Sequence, residues 1–342
     1  MNIGILATVG QTPLIELTRI LEEVPVRLFA KLESFNPGGS SKDRPASFII
    51  RQGIADGTIG PDTVVIESSS GNMGIGLAQA CAYYGLRFIC VIDPKTTLQN
   101  RQILRTYGAE LDLVTQPDPR TGEFLQARID RVRALRYKYP YSFWPNQYAN
   151  EHNAQAHHQT MKEIITELNG DVDYLFVSTS TCGTLRGCRE QIRENKLKTK
   201  VVAVDALGSA IFGGEKAKRL IPGHGAAIRP KLFLSNMADQ VVHVSDLDCV
   251  TGCRRLVRRE AILAGGSSGG VLMAIEQIKD ELPADATCVL ILPDRGERYL
   301  DTIYSDEWVR EHFGDVEYLW NPERLQECEM ETEMEMEPAG SY

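Results

Sequence analysis

The chain has 342 residues, of which 43% are hydrophobic and 24% are charged, so it can bury a large core in two domains or in one elaborate domain. The net charge is −9, but residues 321–342 hold seven Glu and one Arg, which leaves only −3 for the rest. A net charge so close to zero in residues 1–320 argues against nucleic-acid binding, which requires a basic surface. The sequence shows neither an apolar run of transmembrane length nor a basic and apolar leader. We therefore expect a cytoplasmic protein that does not associate with membranes.

Strands and helices are predicted to alternate along nearly the whole chain. Strands are expected near residues 27–31, 63–66, 87–92, 111–114, 173–177, 200–204, 241–244 and 287–292. Helices are expected near residues 41–56, 72–84, 96–107, 123–138, 153–168, 184–195, 246–261 and 268–281. This alternation is typical of an α/β fold with mainly parallel sheets flanked by helices. Residues 137–146 interrupt it with prolines and aromatics, which predicts a crossing between domains there.

Residues 36–46 (NPGGSSKDRPA) place a lysine just inside a predicted helix start. The first four residues favour a turn, Ser40 or Ser41 could cap the helix, and Pro45 is tolerated in its first turn. The Lys42 cation lies at the unfavourable end of the helix dipole, and such local inconsistencies tend to mark functional sites. Its amine could form a Schiff base with a carbonyl cofactor. A solvated surface lysine is the alternative that this segment alone leaves open.

Three further turns rich in small residues lie between a predicted strand and a predicted helix. They are residues 67–76 (ESSSGNMGIG), 178–184 (STSTCGT) and 265–270 (GGSSGG). This arrangement points free backbone N–H groups at an anion, and its repetition predicts one site assembled from several loops. The first turn reads GxxGxG rather than the dinucleotide-binding GxGxxG, so a nicotinamide oxidoreductase is a weaker alternative that leaves Lys42 unexplained.

The remaining reactive residue types give no metal or disulfide pattern. The eight cysteines form no CxxC pair and are expected to be reduced core thiols, with only Cys182 in a predicted anion loop. The six histidines lack metal-ligand spacing and are expected to be structural or solvated. The acidic segment 321–342 is predicted to be a disordered tail.

Several of these segments together resemble the cysteine synthase and cystathionine β-synthase family. They are residues 9–14 (VGQTPL), 31–44, 70–73 (SGNM), the glycine-rich turns at 183 and 266, and 292–299 (LPDRGERY). The resemblance implies an enzyme of fold type II, like the tryptophan synthase β chain, that uses pyridoxal 5'-phosphate. It further implies a smaller α/β domain of residues 36–145, a larger cofactor-binding domain of residues 1–35 and 146–320, and a homodimer.

The resemblance also implies roles for individual residues. Lys42 would be the Schiff-base lysine and later the base for the substrate α-proton. Asn72 would contact the phenolic oxygen of the cofactor, and Ser267 its pyridine nitrogen. The cofactor phosphate would lie on Ser180, Thr181, Cys182, Gly183 and Thr184. The substrate carboxylate would lie on Ser69, Ser70, Gly71, Asn72, Met73 and Gln147. Because a serine cannot keep the ring nitrogen protonated, prompt loss of a β-substituent is favoured over a long-lived carbanion.

Two hydroxyls depart from the usual cysteine synthase pattern: Ser180 replaces a glycine and Tyr148 a phenylalanine. Together with other segments they resemble a narrower branch that serves 2,3-diaminopropionate formation for siderophores. Those segments are residues 31–44, 93–95, 144–151, 204–209, 211–213, 292–300 and 304–308. That branch joins O-phospho-L-serine to the α-amine of L-glutamate and releases phosphate. Arg128, Arg229 and Arg44 are candidates for binding these acidic amino-acid substrates, although each could be a surface or structural arginine. Cysteine synthesis and a non-catalytic cofactor-binding regulator remain alternatives.

Overall fold

The computed structural model describes residues 4–21, 24–120, 122–215 and 217–321, so the predicted tail lies, apart from its first residue, outside the described residues. The strands are β1 (Leu14–Glu16), β2 (Arg27–Leu32), β3 (Val64–Ser68), β4 (Arg87–Ile92), β5 (Glu110–Leu113), β6 (Ser142–Phe143), β7 (Tyr174–Ser178), β8 (Lys200–Ala206), β9 (Gln240–Val244) and β10 (Thr287–Leu292). The helices are α1 (Asp43–Ala55), α2 (Asn72–Tyr84), α3 (Leu98–Thr106), α4 (Phe124–Lys138), α5 (Glu151–Ala156), α6 (His158–Glu167), α7 (Gly183–Glu194), α8 (Asp246–Glu260), α9 (Gly266–Gln277) and α10 (Asp306–Phe313). The fold is therefore α/β, as the alternation predicted.

A six-stranded sheet has the order β1-β2-β10-β7-β8-β9, in which only the edge strand β1 runs antiparallel. Alternate residues of its strands point to opposite faces and are buried on both. Leu175 packs with α6 and α7 on one face, while Phe176 packs with α8 and α9 on the other. Burial on both faces explains the nearly unbroken apolar runs that identified these strands in the sequence.

A four-stranded parallel sheet has the order β5-β4-β3-β6. One face packs on α1, α2 and α3 through residues such as Ile50, Leu77 and Leu104, and the other face packs on α4 through Val132 and Leu135. Both sheets thus lie between layers of helices. The proposed boundaries at residues 35 and 145 remain a prediction.

Some local expectations were wrong. The helix expected at 153–168 is divided at His157 into α5 and α6. Neither Ser40 nor Ser41 caps α1, since the N-cap residue is Lys42 and no side chain caps the helix. The sequence analysis missed β1, β6 and α10, of which β6 lies within the segment expected to be a crossing. Within the described part of the chain, no helix is long and apolar enough to cross a bilayer.

Candidate active site

A cavity of about 810 Å³ lies at the carboxyl ends of strands from both sheets. The loops that follow β3, β7 and β10 all contribute to its lining, together with the start of α1 and residues 217–227. Loops at this edge of parallel sheets are where α/β proteins usually bind ligands. All predicted cofactor and substrate residues except Arg44 and Arg229 line this cavity. Tertiary structure therefore brings together the four predicted loops, in which Lys42 and Ser267 are 225 residues apart in sequence.

Lys42 presents its amine to this cavity from the N-cap of α1. The Nζ atom lies 3.1 Å from Ser41 Oγ. Burial lowers the pKa of Lys42, while the charges of Asp294, Glu33 and Asp43 partly oppose that shift. A lowered pKa raises the fraction of neutral amine, which is the nucleophilic form that attacks carbonyl carbons.

Asn72 begins α2 and is held by residues of the loop after β10. Its Nδ2 atom donates to Asp294 Oδ2 at 2.7 Å, and Arg298 donates to its Oδ1 atom. The Tyr299 hydroxyl donates to the same Asp294 oxygen at 2.6 Å. These contacts fix the orientation of the amide and leave one N–H of Nδ2 for a ligand. The segment 292–299 contributed to the family resemblance, but the sequence alone predicted no role for Asp294 or Arg298.

The turn before α2 is shaped by its own backbone and by Glu67. Gly74 N donates to Ser69 Oγ at 2.9 Å, so Ser69 closes the turn. Glu67 accepts from the Gln147 backbone N–H at 3.2 Å and from Trp144 Nε1 at 3.1 Å. Burial raises the pKa of Glu67 to about 7 against these hydrogen bonds. Gln147 is thereby tied to the turn, although 74 residues separate it from Met73.

Residues 180–184 form a tight loop at the start of α7. Cys182 adopts a left-handed φ of 68° as the N-cap residue. A Cβ atom on Gly183 would lie 2.2 Å from Asn153 Oδ1, so only glycine fits there. Thr184 Oγ1 lies 3.2 Å from Nε2 of the buried His157. Such a loop leaves the first N–H groups of the helix free to bind an anion.

The Cys182 thiol has no nucleophilic role in this arrangement. It is buried, and burial raises its pKa to about 12, so the sulfur stays protonated near neutral pH. The other described cysteines, at positions 81, 90, 188, 249, 253 and 288, are also buried and form no disulfide. Ser267, in the first turn of α9, presents a hydroxyl to the same cavity.

The candidate substrate residues divide into two groups. Arg128, Tyr148 and Ser180 line the cavity, whereas Arg229 lies on the surface outside it. Arg229 donates to the Ile211 carbonyl at 2.8 Å and stacks over the Phe233 ring. The expectation for Arg44 was wrong: it lies outside the cavity lining and is engaged in buried ion pairs with Glu33 and Glu163.

The chain was compared with known proteins. The family described as "Pyridoxal-phosphate dependent enzyme" matches residues 5–294. The chain is 46% identical over 307 residues to the N-(2-amino-2-carboxyethyl)-L-glutamate synthase of Ralstonia nicotianae, covering 90% of each chain. It is 45% identical over 310 residues to the enzyme of that name from Cupriavidus metallidurans, covering 90% of this chain and 91% of the relative. The crystal structure of cysteine synthase from Entamoeba histolytica superposes with a TM-score of 0.83 at 34% identity, covering 89% of this chain and 91% of that one.

Proposed function

The chain belongs to the family of pyridoxal-phosphate-dependent enzymes, and we propose that it makes N-(2-amino-2-carboxyethyl)-L-glutamate from O-phospho-L-serine and L-glutamate, with release of phosphate. Relatives that carry the name of this synthase at 45% and 46% identity support the proposal. On structural grounds, the proposal depends on the hydroxyls of Tyr148 and Ser180, which line the cavity and have no hydrogen-bond partner within the described residues.

The residues of the cavity fit the cofactor. Lys42 would hold its aldehyde carbon, the remaining N–H of Asn72 would donate to its phenolic oxygen, and the backbone of residues 181–184 would hold its phosphate. The Ser267 hydroxyl would face the ring nitrogen. When bound, pyridoxal phosphate supplies the electron sink that allows a β-substituent to leave an amino acid.

The chain's own residues would then bind the donor and move its α-proton. The N–H groups of residues 69–73, with Gln147, would bind the donor carboxylate, because these residues lie at the start of α2 and line the cavity. The Lys42 amine, with its lowered pKa, would accept the α-proton. The bond between the donor's β-carbon and the phosphate oxygen breaks with its electron pair on phosphate. The amine of glutamate then forms the new bond to that carbon and loses a proton, and Lys42 would return a proton to the α-carbon.

The hydroxyls of Tyr148 and Ser180 favour an amine acceptor over sulfide. Both side chains line the cavity, and neither hydroxyl has a hydrogen-bond partner among the residues that the structure describes. A cavity built to hydrogen-bond a polar ligand discriminates strongly against analogues that lack the matching groups. Glutamate offers such groups and sulfide offers none.

Arg128 is the best supported of the three candidate substrate arginines. Its side chain is 12% exposed, and its Nε atom lies 3.3 Å from Asp93 Oδ2. That contact is within ion-pair distance, yet its geometry leaves Nε and Nη1 without hydrogen-bond partners in the described chain. Buried guanidinium N–H groups of this kind favour binding of a phosphate or a carboxylate.

The test offers the purified enzyme O-phospho-L-serine with either L-glutamate or sulfide and identifies the products by mass spectrometry. We expect the glutamate adduct and phosphate in equal amounts, and none of either with Lys42→Ala. If cysteine forms and the adduct does not, the enzyme is a cysteine synthase and the acceptor assignment fails. If neither product forms but the cofactor binds, the protein acts as a regulator.

We further propose a cytoplasmic homodimer with the domain division at residues 35 and 145, serving 2,3-diaminopropionate formation for a siderophore. The absence of a membrane-spanning helix in the described residues is compatible with this location. The exposed side chains of Ile5, Ile15 and Phe35, at 48%, 36% and 62%, offer apolar surface for a second copy. Light scattering of the purified protein tests the dimer, and a monomeric mass would contradict it.

A further inference from the structure

Asp294 places a buried carboxylate in the lining of the cavity. It lies just after β10 and is only 2% exposed. Its backbone forms an antiparallel bridge with Ser40, in the loop that carries Lys42. Its carbonyl also accepts from Gly265 N at 3.1 Å, at the start of the turn that carries Ser267. Asp294 is therefore fixed between two of the loops that build the site.

The two oxygens of the Asp294 carboxylate have different surroundings. Oδ2 accepts from Asn72 Nδ2 at 2.7 Å and from the Tyr299 hydroxyl at 2.6 Å. Burial raises the pKa of Tyr299 well above its ordinary value, so the hydroxyl stays protonated and donates to the carboxylate. Oδ1 is buried and has no hydrogen-bond partner in the described chain. A buried carboxylate oxygen without a partner is costly, so this position favours a cation or a donor that arrives with a ligand.

Among the carboxyl groups whose charges act on Lys42, Asp294 alone lines the cavity. Burial lowers the pKa of Lys42, and three carboxyl charges oppose that shift, those of Asp294, Glu33 and Asp43. Glu33 is engaged in its ion pair with Arg44, and neither Glu33 nor Asp43 belongs to the lining. Asp294 is therefore the carboxylate that is placed to act on the Lys42 nitrogen when a ligand fills the cavity.

The other titratable groups around Asp294 do not neutralise its charge. That charge also acts on Cys253 and Tyr304, but burial raises the pKa of both, so they stay neutral near pH 7. The Arg298 guanidinium donates to the Asn72 amide and forms no ion pair with Asp294 in the described part of the chain. The negative charge of Asp294 therefore acts on the cavity.

We propose that Asp294 is a positioning residue with two tasks: Oδ2 orients the Asn72 amide towards the phenolic oxygen of the cofactor, and the carboxylate charge keeps the Lys42 nitrogen protonated while that nitrogen is bonded to the cofactor. A protonated nitrogen makes the bonded carbon more electrophilic towards the donor amine. The donor nitrogen bonds to that carbon, the bond to Lys42 breaks, and Lys42 leaves as the neutral amine while the donor nitrogen keeps one proton. This inference rests on the bond between Lys42 and the cofactor in the proposed function, and not on the identity of the acceptor.

The test compares Asp294→Asn with Asp294→Ala in the cofactor-loaded protein. Asparagine keeps an acceptor for the Asn72 amide and removes the charge, whereas alanine removes both. The absorbance spectrum reports whether the Lys42 nitrogen is protonated. The pH midpoint of the spectrum should fall by about 1 or more in both variants, because a nearby opposite charge raises the pKa of a cationic group. Asp315→Asn, at an exposed aspartate outside the cavity lining, should leave the midpoint unchanged.

Cofactor affinity, measured by absorbance titration, separates the orienting task from the charge. It should weaken roughly 5-fold in Asp294→Ala, where the orienting hydrogen bond to Asn72 is lost, and less than about 2-fold in Asp294→Asn. An equal loss in the two variants would refute the orienting task.

Tyr299→Phe tests the charge while Asp294 stays in place. It removes one donor from Oδ2, so the negative charge is less dispersed and the pH midpoint should rise. If Asp294→Asn does not fold, this variant decides, and an unchanged or lower midpoint refutes the role of the charge. If Asp294→Asn folds and leaves the midpoint unchanged, the role of the charge is refuted while the synthase activity stands. If the absorbance band of the bonded nitrogen persists in Lys42→Ala, the cofactor is not bonded to Lys42 and both proposals fall.

Discussion

Replacing Arg44 with methionine should destabilise the protein by about 3–5 kcal/mol, because the change leaves buried carboxylates without their partner. Arg44 Nε and Nη2 lie 2.7 Å from the two oxygens of Glu33. Nη1 and Nη2 also contact the Glu163 oxygens at 2.8 and 2.7 Å. The side chains of Arg44, Glu33 and Glu163 are only 3%, 0% and 6% exposed. This network supports the loop that carries Lys42.

The expected loss lies towards the lower end of that range because part of the network survives. Lys31 Nζ remains 3.0 Å from Glu163, and Thr12 continues to donate to Glu33. Glu33 would nevertheless lose both charged hydrogen bonds to Arg44 while it stays fully buried. An isolated buried carboxylate of this kind is costly, whereas the methionine itself packs well in an apolar environment.

Urea unfolding followed by tryptophan fluorescence at pH 7 measures this loss. The matched control is Arg189→Met, whose partner is Asp239 and whose pair has side chains 17% and 35% exposed. Such a pair contributes about 1 kcal/mol or less. A cost below about 1 kcal/mol for Arg44→Met, or one equal to the control, would refute the argument that burial makes this network essential.

The pH dependence of the same difference gives an internal check. Burial alone would raise the pKa of Glu33 and of Glu163, but Arg44 and their other partners hold both pKa values below the usual one. The stabilisation by the ion pairs of Glu33 and Glu163 is therefore complete above the ordinary glutamate pKa. It is lost as the pH falls through the lowered pKa values of these two carboxyls. The difference between wild type and Arg44→Met should shrink on acidification.

Three further predictions concern the cavity. Tyr148→Phe combined with Ser180→Gly should lower kcat/KM for glutamate by a factor roughly 10- to 100-fold larger than the factor by which it slows phosphate release. The reason is that two hydrogen bonds to glutamate of about 1 kcal/mol or more each are lost. An equal loss in both steps would argue against the role of the hydroxyls. His157→Phe removes the neighbour of the Thr184 hydroxyl and should weaken cofactor binding about 2- to 10-fold in an absorbance titration, and unchanged affinity would contradict that role. Burial raises the pKa of Glu67 to about 7, so the free energy of unfolding of the wild type should fall by up to about 3 kcal/mol as the pH rises from 4.5 to 7. Glu67→Gln should not show this fall. If the pH profiles of stability of the two proteins run parallel, Glu67 does not titrate in this way.

The sequence by itself determined the class of fold and the family. Strands buried on both sheet faces form continuous apolar runs in the sequence, so strands such as β3, β4, β7 and β10 could be placed from those runs alone. The turn residues around Lys42, Asn72, Gly183 and Ser267 are constrained by local backbone geometry, which is why their pattern could be identified without a structure. Short elements such as β1 and β6 escaped because their residues pair with distant strands and carry little local preference.

Only the tertiary structure decided which cations share the cavity. Arg44, Arg128, Arg219 and Arg229 are alike in sequence, because an arginine has the same chemistry whether it is buried, surface-bound or facing a ligand. Packing ties Arg44 to Glu33 and Glu163, leaves Arg229 outside the cavity, and places Arg128 and Arg219 in its lining. The same holds for Asp294 and Asn72, which are 222 residues apart and joined by a hydrogen bond of 2.7 Å. Contacts between loops from two sheets depend on how the sheets are assembled, and local propensity carries no information about that.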